Sequence, residues 1–559
     1  MANYWHMQLH PGDEGSSYTP EKIKAILNAH KVIGFDIWDE PLKGSELEDF
    51  IDKPFTEWKD EDVAQAIELA KSAGSEGTFG IIKDFRDRMR MGDIVLIRKG
   101  RIPIALVKVI SDYFFNSFKD EDGEPWFRHR RRVEVLSYFD EDKEKLGLSF
   151  NSVRIGGQTK TLQILVNPGA IKGIIEEWLR KMELRNLKKK IREALEHQKQ
   201  IILYGPPGTG KTFTAKQVTK DLILNGTNVR SIIDKHWDNF VDYLHGKTLT
   251  TKQGEYFSCE KTRENSIKAV NKSINVTKDS FTDFISKCWP DIENYSLQRG
   301  ESYHWSVALK FRECYLNQYI KLIQFHPSYT YEDFVRGIQV EIQNGIPVYR
   351  TVNRIFAEMC ERALNEPNKN FVLIIDEINR ANLPAVLGEL IYALEYRGEP
   401  VETPYEVNGS RTLIVPDNLY IIGTMNTADR SIGHIDYALR RRFYFLPVIA
   451  NKDEIENPKA RELYQNTIEK IFTEENMSPE FRDKVEDVKI GHTYFLGTNN
   501  EIAHKLVYQV IPLLIEYIQD GILKDEEVVK NVMDEYFKGV ANWRQLTTEA
   551  VMNKLQFQT

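Results

Sequence analysis

The stretch QIILYGPPGTGKTFTAK, Gln200 to Lys216, constrains this chain more than any other. An apolar run ends at Tyr204. Gly205, Pro206, Pro207, Gly208, Thr209, Gly210, Lys211 and Thr212 then fit the pattern GxxxxGK[ST] in full. A helix-forming segment opens at Lys211, with Phe213 in its first turn. Strand, glycine loop and helix together make a phosphate cradle. The glycines let main-chain N–H groups turn inward, and the helix N-terminus adds positive potential. Lys211 is expected to reach the β- and γ-phosphates of a nucleotide, and the Thr212 hydroxyl to bind Mg²⁺. A chance glycine loop would lack both the strand before it and the partners described next.

The first partner is NFVLIIDEINRANLPAVLGELIYALE, in which an apolar strand delivers Asp376 and Glu377 to its carboxyl end. Asp376 is expected to hold the Mg²⁺ through water, and Glu377 to polarise the attacking water. The second is LYIIGTMNTADRSIGHIDYALRRRF. Its strand ends at Asn426, whose amide would orient the lytic water. Arg440, Arg441 and Arg442 close a helix just before the strand FYFLPV. A basic helix end favoured by the dipole explains one arginine better than three. Offered to a neighbouring copy, such a cluster would stabilise transition-state charge as an arginine finger does. The runs IILY, LIQF, FVLIID and LYIIGTMN read as strands buried on both faces, as in a parallel sheet. Ligands of such sheets bind at the strands' carboxyl ends. The expected fold is α/β: an oligomeric AAA+ P-loop NTPase with a helical lid, preceded by a small, mainly β domain.

A chain of 559 residues is too long for one core, and three or so compact units are expected. The expected division is 1–168 (front domain), 169–199 (solvated connecting helix), 200–448 (nucleotide-binding domain) and 449–559 (helical lid). Residues 225–319 read as an insertion with its own helices. In the front part, DIVLIRKGRIPIALVKVISDYFF reads as two strands about a tight turn at Lys99–Gly100–Arg101. A net charge of −8 excludes a generally basic surface, so any nucleic-acid contact must be local. Cys259, Cys288, Cys314 and Cys360 form no zinc or CxxC pattern and read as reduced thiols. The absence of a membrane-spanning apolar run and of a signal-peptide layout at the start lead us to expect a cytoplasmic protein with no membrane contact.

The strings QFHPSYTYEDFVRGIQV (Gln324–Val340), LIIDEINRAN (Leu373–Asn382), GTMNTADRSI (Gly423–Ile432), DYALRRRF (Asp436–Phe443) and IGHTYF (Ile490–Phe495) closely resemble the McrB family. These are the GTP-hydrolysing motors of McrBC-type modification-dependent restriction systems. The resemblance covers about Gln200 to Ile522. It implies GTP with Mg²⁺ as cofactors, a homo-hexameric ring, and a McrC-like nuclease as partner. It also implies that Arg441 and Arg442 are interface arginines, and that Asn426–Thr427–Ala428–Asp429 is the first sensor. Asn379 and Arg380 fall near the family's subunit contact. The insertion departs from the shorter family pattern.

In the front domain, NYWHMQLHP, VIGFDIW and RMRMGDIVLIRKG with IALVKV look like the EVE and YTH branch of PUA-like domains, which often trap a flipped modified base. A methylated base can be read by packing its face against aromatic side chains. Trp5, Trp38, Trp58, Trp126, Tyr113 and Phe115 are the candidates, Trp38 foremost, with Asp36 as a hydrogen-bond acceptor. Arg128 and Arg130 within WFRHRRR, together with Arg86, Arg88 and Arg90, would contact the phosphates of modified double-stranded DNA. Core packing for the aromatics and a charge-guarded strand edge for the basic run are the competing readings. Two other functions fit the same motifs: a MoxR-type, ATP-driven remodelling chaperone, and a reader of modified RNA.

Overall fold

The computed structural model describes residues 3–8, 19–35, 42–50, 53–72, 81–116, 128–146, 148, 150, 162–165, 170–270, 272, 274–293, 295–344, 346–428, 437–538 and 542–556. The chain divides into two compact units, Met1–Arg185 and Asn186–Thr559.

The first unit is built on β1 (Tyr4–Gln8), β2 (Val32–Phe35), β3 (Ile94–Lys99), β4 (Ile102–Val109), β5 (Phe114–Phe115), β6 (His129–Tyr138) and β7 (Leu162–Ile164). They form one sheet in the order β2–β6–β4–β3–β1–β7, with β5 also paired to β6. Among the described residues of this sheet, only β1 and β3 run parallel. The run IVLI in β3 is apolar throughout because both faces of the sheet are covered. Val95 and Ile97 join Trp5, Met7, Ile33 and the helices Pro20–His30 and Asp60–Ser72. Ile94 and Leu96 join Leu106, Phe139, Ile175 and Trp178. The last two lie on helix Ala170–His197. The first half of that helix is therefore a core element with Trp178 fully buried, where a solvated connection was expected.

The second unit is organised by five parallel strands. These are β8 (Gln200–Gly205), β13 (Ile320–Gln324), β16 (Phe371–Asp376), β19 (Leu419–Asn426) and β20 (Tyr444–Pro447), in the order β13–β16–β19–β8–β20. Every neighbouring pair is parallel. Central residues such as Ile202, Leu203, Leu373, Ile374 and Ile422 are fully buried, as strands covered on both faces require. Between β8 and β13 come the helices Val229–Leu244, Lys278–Cys288 and Ser302–Tyr319. A small antiparallel sheet accompanies them, formed by β9 (Thr248–Thr250), β10 (Tyr256–Lys261), β11 (Ile267–Ala269) and β12 (Asn275–Val276). This sheet was not legible in so polar a segment. Trp237, Phe240, Phe281 and Phe311 bury against one another there, and their cluster is continuous with the core of the parallel sheet.

Two hairpins extend from the same unit: β14 (Arg336–Gln343) with β15 (Ile346–Asn353), and β17 (Pro400–Val407) with β18 (Ser410–Ile414). The C-terminal part is helical around Leu463, Tyr464, Phe495, Leu514 and Trp543. Among the described residues no helix is long and apolar enough to cross a membrane.

Candidate functional site

Register brings the separated motifs together. Strand β19 pairs with β16 so that Gly423 lies opposite Ile375, and with β8 so that Asn426 lies opposite Gly205. The carboxyl ends of β16, β19 and β8 therefore place Asp376 and Glu377, Thr424 and Asn426, and the glycine loop side by side. Helix Lys211–Leu224 follows the loop directly.

The Lys211 side chain is almost fully enclosed, and its Nζ donates to the carbonyls of Gly205 at 3.0 Å and Pro206 at 2.7 Å. The peptide links after those carbonyls belong to Pro206 and Pro207, which have no N–H. This side of the loop thus offers the lysine acceptors only. Burial lowers the Lys211 amino group from its ordinary 10.5 to about 8, while Glu377 and Asp376 hold it up. The Thr212 hydroxyl donates to Asp376 Oδ1 at 2.7 Å. The Thr424 hydroxyl donates to the same oxygen. Two hard oxygen groups beside a phosphate loop suit Mg²⁺, which takes few protein ligands and fills its remaining positions with phosphate and water.

Glu377 lies in the left-handed region, at φ 53° and ψ 46°. That conformation costs a non-glycine residue about 1 to 3 kcal/mol and is retained where function needs it. Its main-chain N–H donates to Thr424 Oγ1 at 3.3 Å. The side chain accepts from Asn426 Nδ2, and Arg380 Nε stands 3.4 Å from its other oxygen. Burial raises its carboxyl above the usual range, against the pull of Arg380. Asn379 Nδ2 donates to the Asn426 carbonyl at 3.3 Å, which steadies the residue that holds Glu377. Thr424 was quoted in the sequence without a role. Its signal was a threonine inside a mostly apolar strand.

The structure separates the arginines. Arg441 is exposed, and its side chain makes no hydrogen bond or ion pair among the described residues. Arg442 is engaged within its own chain. It pairs with Glu395 at 2.6 Å and donates to the Ile391 carbonyl at 2.5 Å, with its side chain 12% exposed. Arg440 lies over the Phe445 ring, 5.4 Å from its centre. Phe213 is exposed beside the loop. Asp429 lies outside the described residues.

The front unit departs further from expectation. Trp5 is fully buried and its indole N–H donates to Asp93 at 2.8 Å, so it is a core residue and not an open stacking surface. Asp36, Trp38 and Trp126 lie outside the described residues. Of the basic run, His129, Arg130 and Arg131 are buried, Arg128 is half-buried and Arg132 is exposed. Arg131 donates to the Phe85 and Arg86 carbonyls. Arg86 pairs with Asp87 and Asp60, and Arg88 with Asp84. Arg86, Arg88 and Arg131 therefore neutralise or cap groups of their own unit. Trp58 is also buried, whereas Tyr113 and Phe115 are half-buried around His129, with the Tyr113 hydroxyl 2.8 Å from its Nδ1.

Comparison with known proteins agrees with this geometry. Residues 201–257 match the ATPase family associated with various cellular activities (AAA), and 305–443 the AAA domain (dynein-related subfamily). Residues 24–154 match a domain of unknown function (DUF8426). The chain is 36% identical over 241 residues to the type IV methyl-directed restriction enzyme EcoKMcrB subunit of Escherichia coli (strain K12). That match covers 39% of this chain and 51% of the relative, so the chain matches about half of that protein's length. It is 25% identical over 253 residues to the type II restriction enzyme BsuMI component YdiS of Bacillus subtilis (strain 168), covering 37% of this chain and 71% of the relative. The second unit has the α/β fold of an AAA+ P-loop NTPase, and the chain is similar over part of its length to subunits of restriction systems.

Proposed function

We propose that this chain is the GTP-hydrolysing, DNA-binding motor subunit of a modification-dependent restriction complex. The observation that carries the reading is the convergence of Lys211, Thr212, Asp376, Glu377 and Asn426 at three adjacent strand ends. Thr212 and Asp376 would hold Mg²⁺, which when bound offsets the negative charge of the phosphates. Lys211 exchanges the Gly205 and Pro206 carbonyls for phosphate oxygens. Glu377, with its raised carboxyl, accepts the proton of the attacking water, and Asn426 fixes the direction of that carboxylate. The hydrogen bond from Asn426 and the nearby Arg380 hold Glu377 in place until substrate arrives. Exposed Arg441 serves the site of the next copy in a homo-hexameric ring, while Arg442 anchors the helix that presents it.

The front unit reads modified double-stranded DNA as an EVE/PUA-like domain, with Asp36 and Trp38 as the residues that contact the base. A McrC-type nuclease supplies cleavage, and the complex works in the cytoplasm. The partial similarity of the chain to two restriction-system subunits supports this assignment. The test is hydrolysis of GTP and ATP measured side by side on the purified chain, with and without methylated DNA. GTP preference is expected. A clear preference for ATP would favour a remodelling chaperone, and full-speed turnover by a monomer would remove the shared active centre.

A further inference from the structure

The segment Gly491–Tyr494 of the helical part touches the phosphate loop at the two carbonyls that follow Lys211's acceptors in the chain. Gly491 N–H donates to the Pro207 carbonyl at 2.9 Å, and Thr493 N–H to the Gly208 carbonyl at 2.9 Å. In a trans peptide the carbonyl and the following N–H point in opposite directions. Tying down those two carbonyls therefore turns the N–H groups of Gly208 and Thr209 away from the segment. Among the described residues neither N–H has a protein acceptor.

The contact is close enough to demand glycine on both sides. A Cβ on Gly491 would stand 1.9 Å from the Gly208 oxygen. A Cβ on Gly208, already at φ +77°, would stand 2.3 Å from the Tyr494 ring. The segment is in turn held by the helical core. The Tyr464 hydroxyl donates to the Ile490 carbonyl at 3.0 Å, and Lys505 Nζ to the Leu496 carbonyl at 2.7 Å. His492, 2% exposed, accepts from Asn451 N–H through Nδ1 and donates through Nε2 to Glu454 at 3.0 Å. Nearby, the Thr427 hydroxyl donates to the Asp487 carbonyl, which joins the end of β19 to the same region.

We propose that Gly491–Tyr494 is a positioning strap for the phosphate loop. Its two main-chain donors hold the peptide planes of Pro207–Gly208 and Gly208–Thr209 so that their N–H groups face an incoming phosphate before nucleotide arrives. The strap also makes the loop's geometry depend on where the helical part stands, so movement of that part is felt as a change in phosphate affinity. The inference rests on the nucleotide-binding reading of the site and adds positioning residues to it.

The test is the dissociation constant of a fluorescent GTP analogue, with the ATP analogue in parallel, measured well below the melting temperature of each full-length variant. Gly491→Ala is expected to weaken binding roughly tenfold or more, because two donors to charged oxygens lose their aim. Tyr494→Ala, which leaves the main chain intact, is expected to weaken it several-fold, and Tyr494→Phe to restore it. A folded Gly491→Ala protein with wild-type affinity overturns the strap. If Gly491→Ala does not fold, unchanged affinity in Tyr494→Ala overturns it instead. The wild-type titration separates this failure from the larger one: wild-type protein that binds neither analogue refutes the nucleotide reading itself.

Discussion

On the proposed reading, the enclosed Lys211 makes nucleotide affinity fall as pH rises above about 8. Without ligand, its amino group is lowered by burial from 10.5 to about 8. Bound to a triphosphate it faces several negative oxygens, which favour the charged form. Binding is therefore linked to proton uptake above about pH 8 and independent of this group below it. One pH unit above the midpoint leaves about one molecule in eleven charged, so the dissociation constant at pH 9 should be roughly tenfold larger than at pH 7, or about 1.4 kcal/mol. The terminal phosphate, with a last ionisation near about 6, adds no slope in that window.

The assay is equilibrium titration with the GTP analogue at fixed Mg²⁺ and ionic strength from pH 7 to 9.5. Lys211→Arg, whose guanidinium stays charged, should give a flat profile at whatever affinity its shape allows. Stability carries the matching sign. The folded chain binds fewer protons at Lys211 than the unfolded chain between about 8 and 10.5. The cost of burying this charge is therefore present at neutral pH and is relieved as pH rises through that window. A wild-type affinity that stays constant to pH 9.5 would show that the lysine remains charged, and the account of an enclosed, partly discharged amino group would fail.

Three further outcomes follow from the geometry. Glu377→Gln should bind nucleotide as the wild type does yet lose turnover by at least about a hundredfold, read by single-turnover hydrolysis; undiminished turnover would remove Glu377 as the base. Arg441→Ala should leave the melting temperature unchanged and slow hydrolysis by the assembled protein, whereas Arg442→Ala, which breaks the Glu395 pair and the bond to Ile391, should cost about 1 to 3 kcal/mol of stability. Equal melting temperatures for the two would contradict their different surroundings. Trp5→Ala should destabilise the front unit by about 3 to 5 kcal/mol, seen as a shifted unfolding transition, because a fully buried indole leaves a cavity and Asp93 Oδ2 keeps only the Arg90 N–H of its two donors.

Much of the candidate site was legible because each of its parts is local. The loop Gly205–Thr212 announces strand, turn and helix in one string, and Asp376–Glu377 and Asn426 each end an apolar run. Their meeting needed only that the runs be parallel neighbours. The front unit was harder to read for a physical reason. Trp5, Arg130 and Arg131 have the residue types of a nucleic-acid surface, but burial decides whether an aromatic or a cation faces a ligand or its own fold. Burial follows from pairings such as β6 with β2 and β5, which no local pattern states. The four-stranded sheet of the insertion was hidden likewise, since its strands are two to six residues long and mostly polar.

The same distinction separates Arg441 from Arg442. Side by side in the chain and identical in type, they differ because the helix turn sends one outward and the other toward Glu395 and the Ile391 carbonyl. A cation held by an ion pair and a main-chain bond cannot swing to a neighbour's phosphate without giving up both, whereas an exposed one loses little. If a ring forms, the pair divides the work: Arg442 fixes the helix end, and that fixed end limits where Arg441 can reach. A finger works by arriving at the transition state already oriented, so stiffness at Arg442 should appear in the rate supported by Arg441. Removing Arg442 would then slow hydrolysis in proportion to how loosely the helix end moves. Adding the Arg441 change on top should cost much less than it does alone. Fully additive losses would mean that the two arginines act separately.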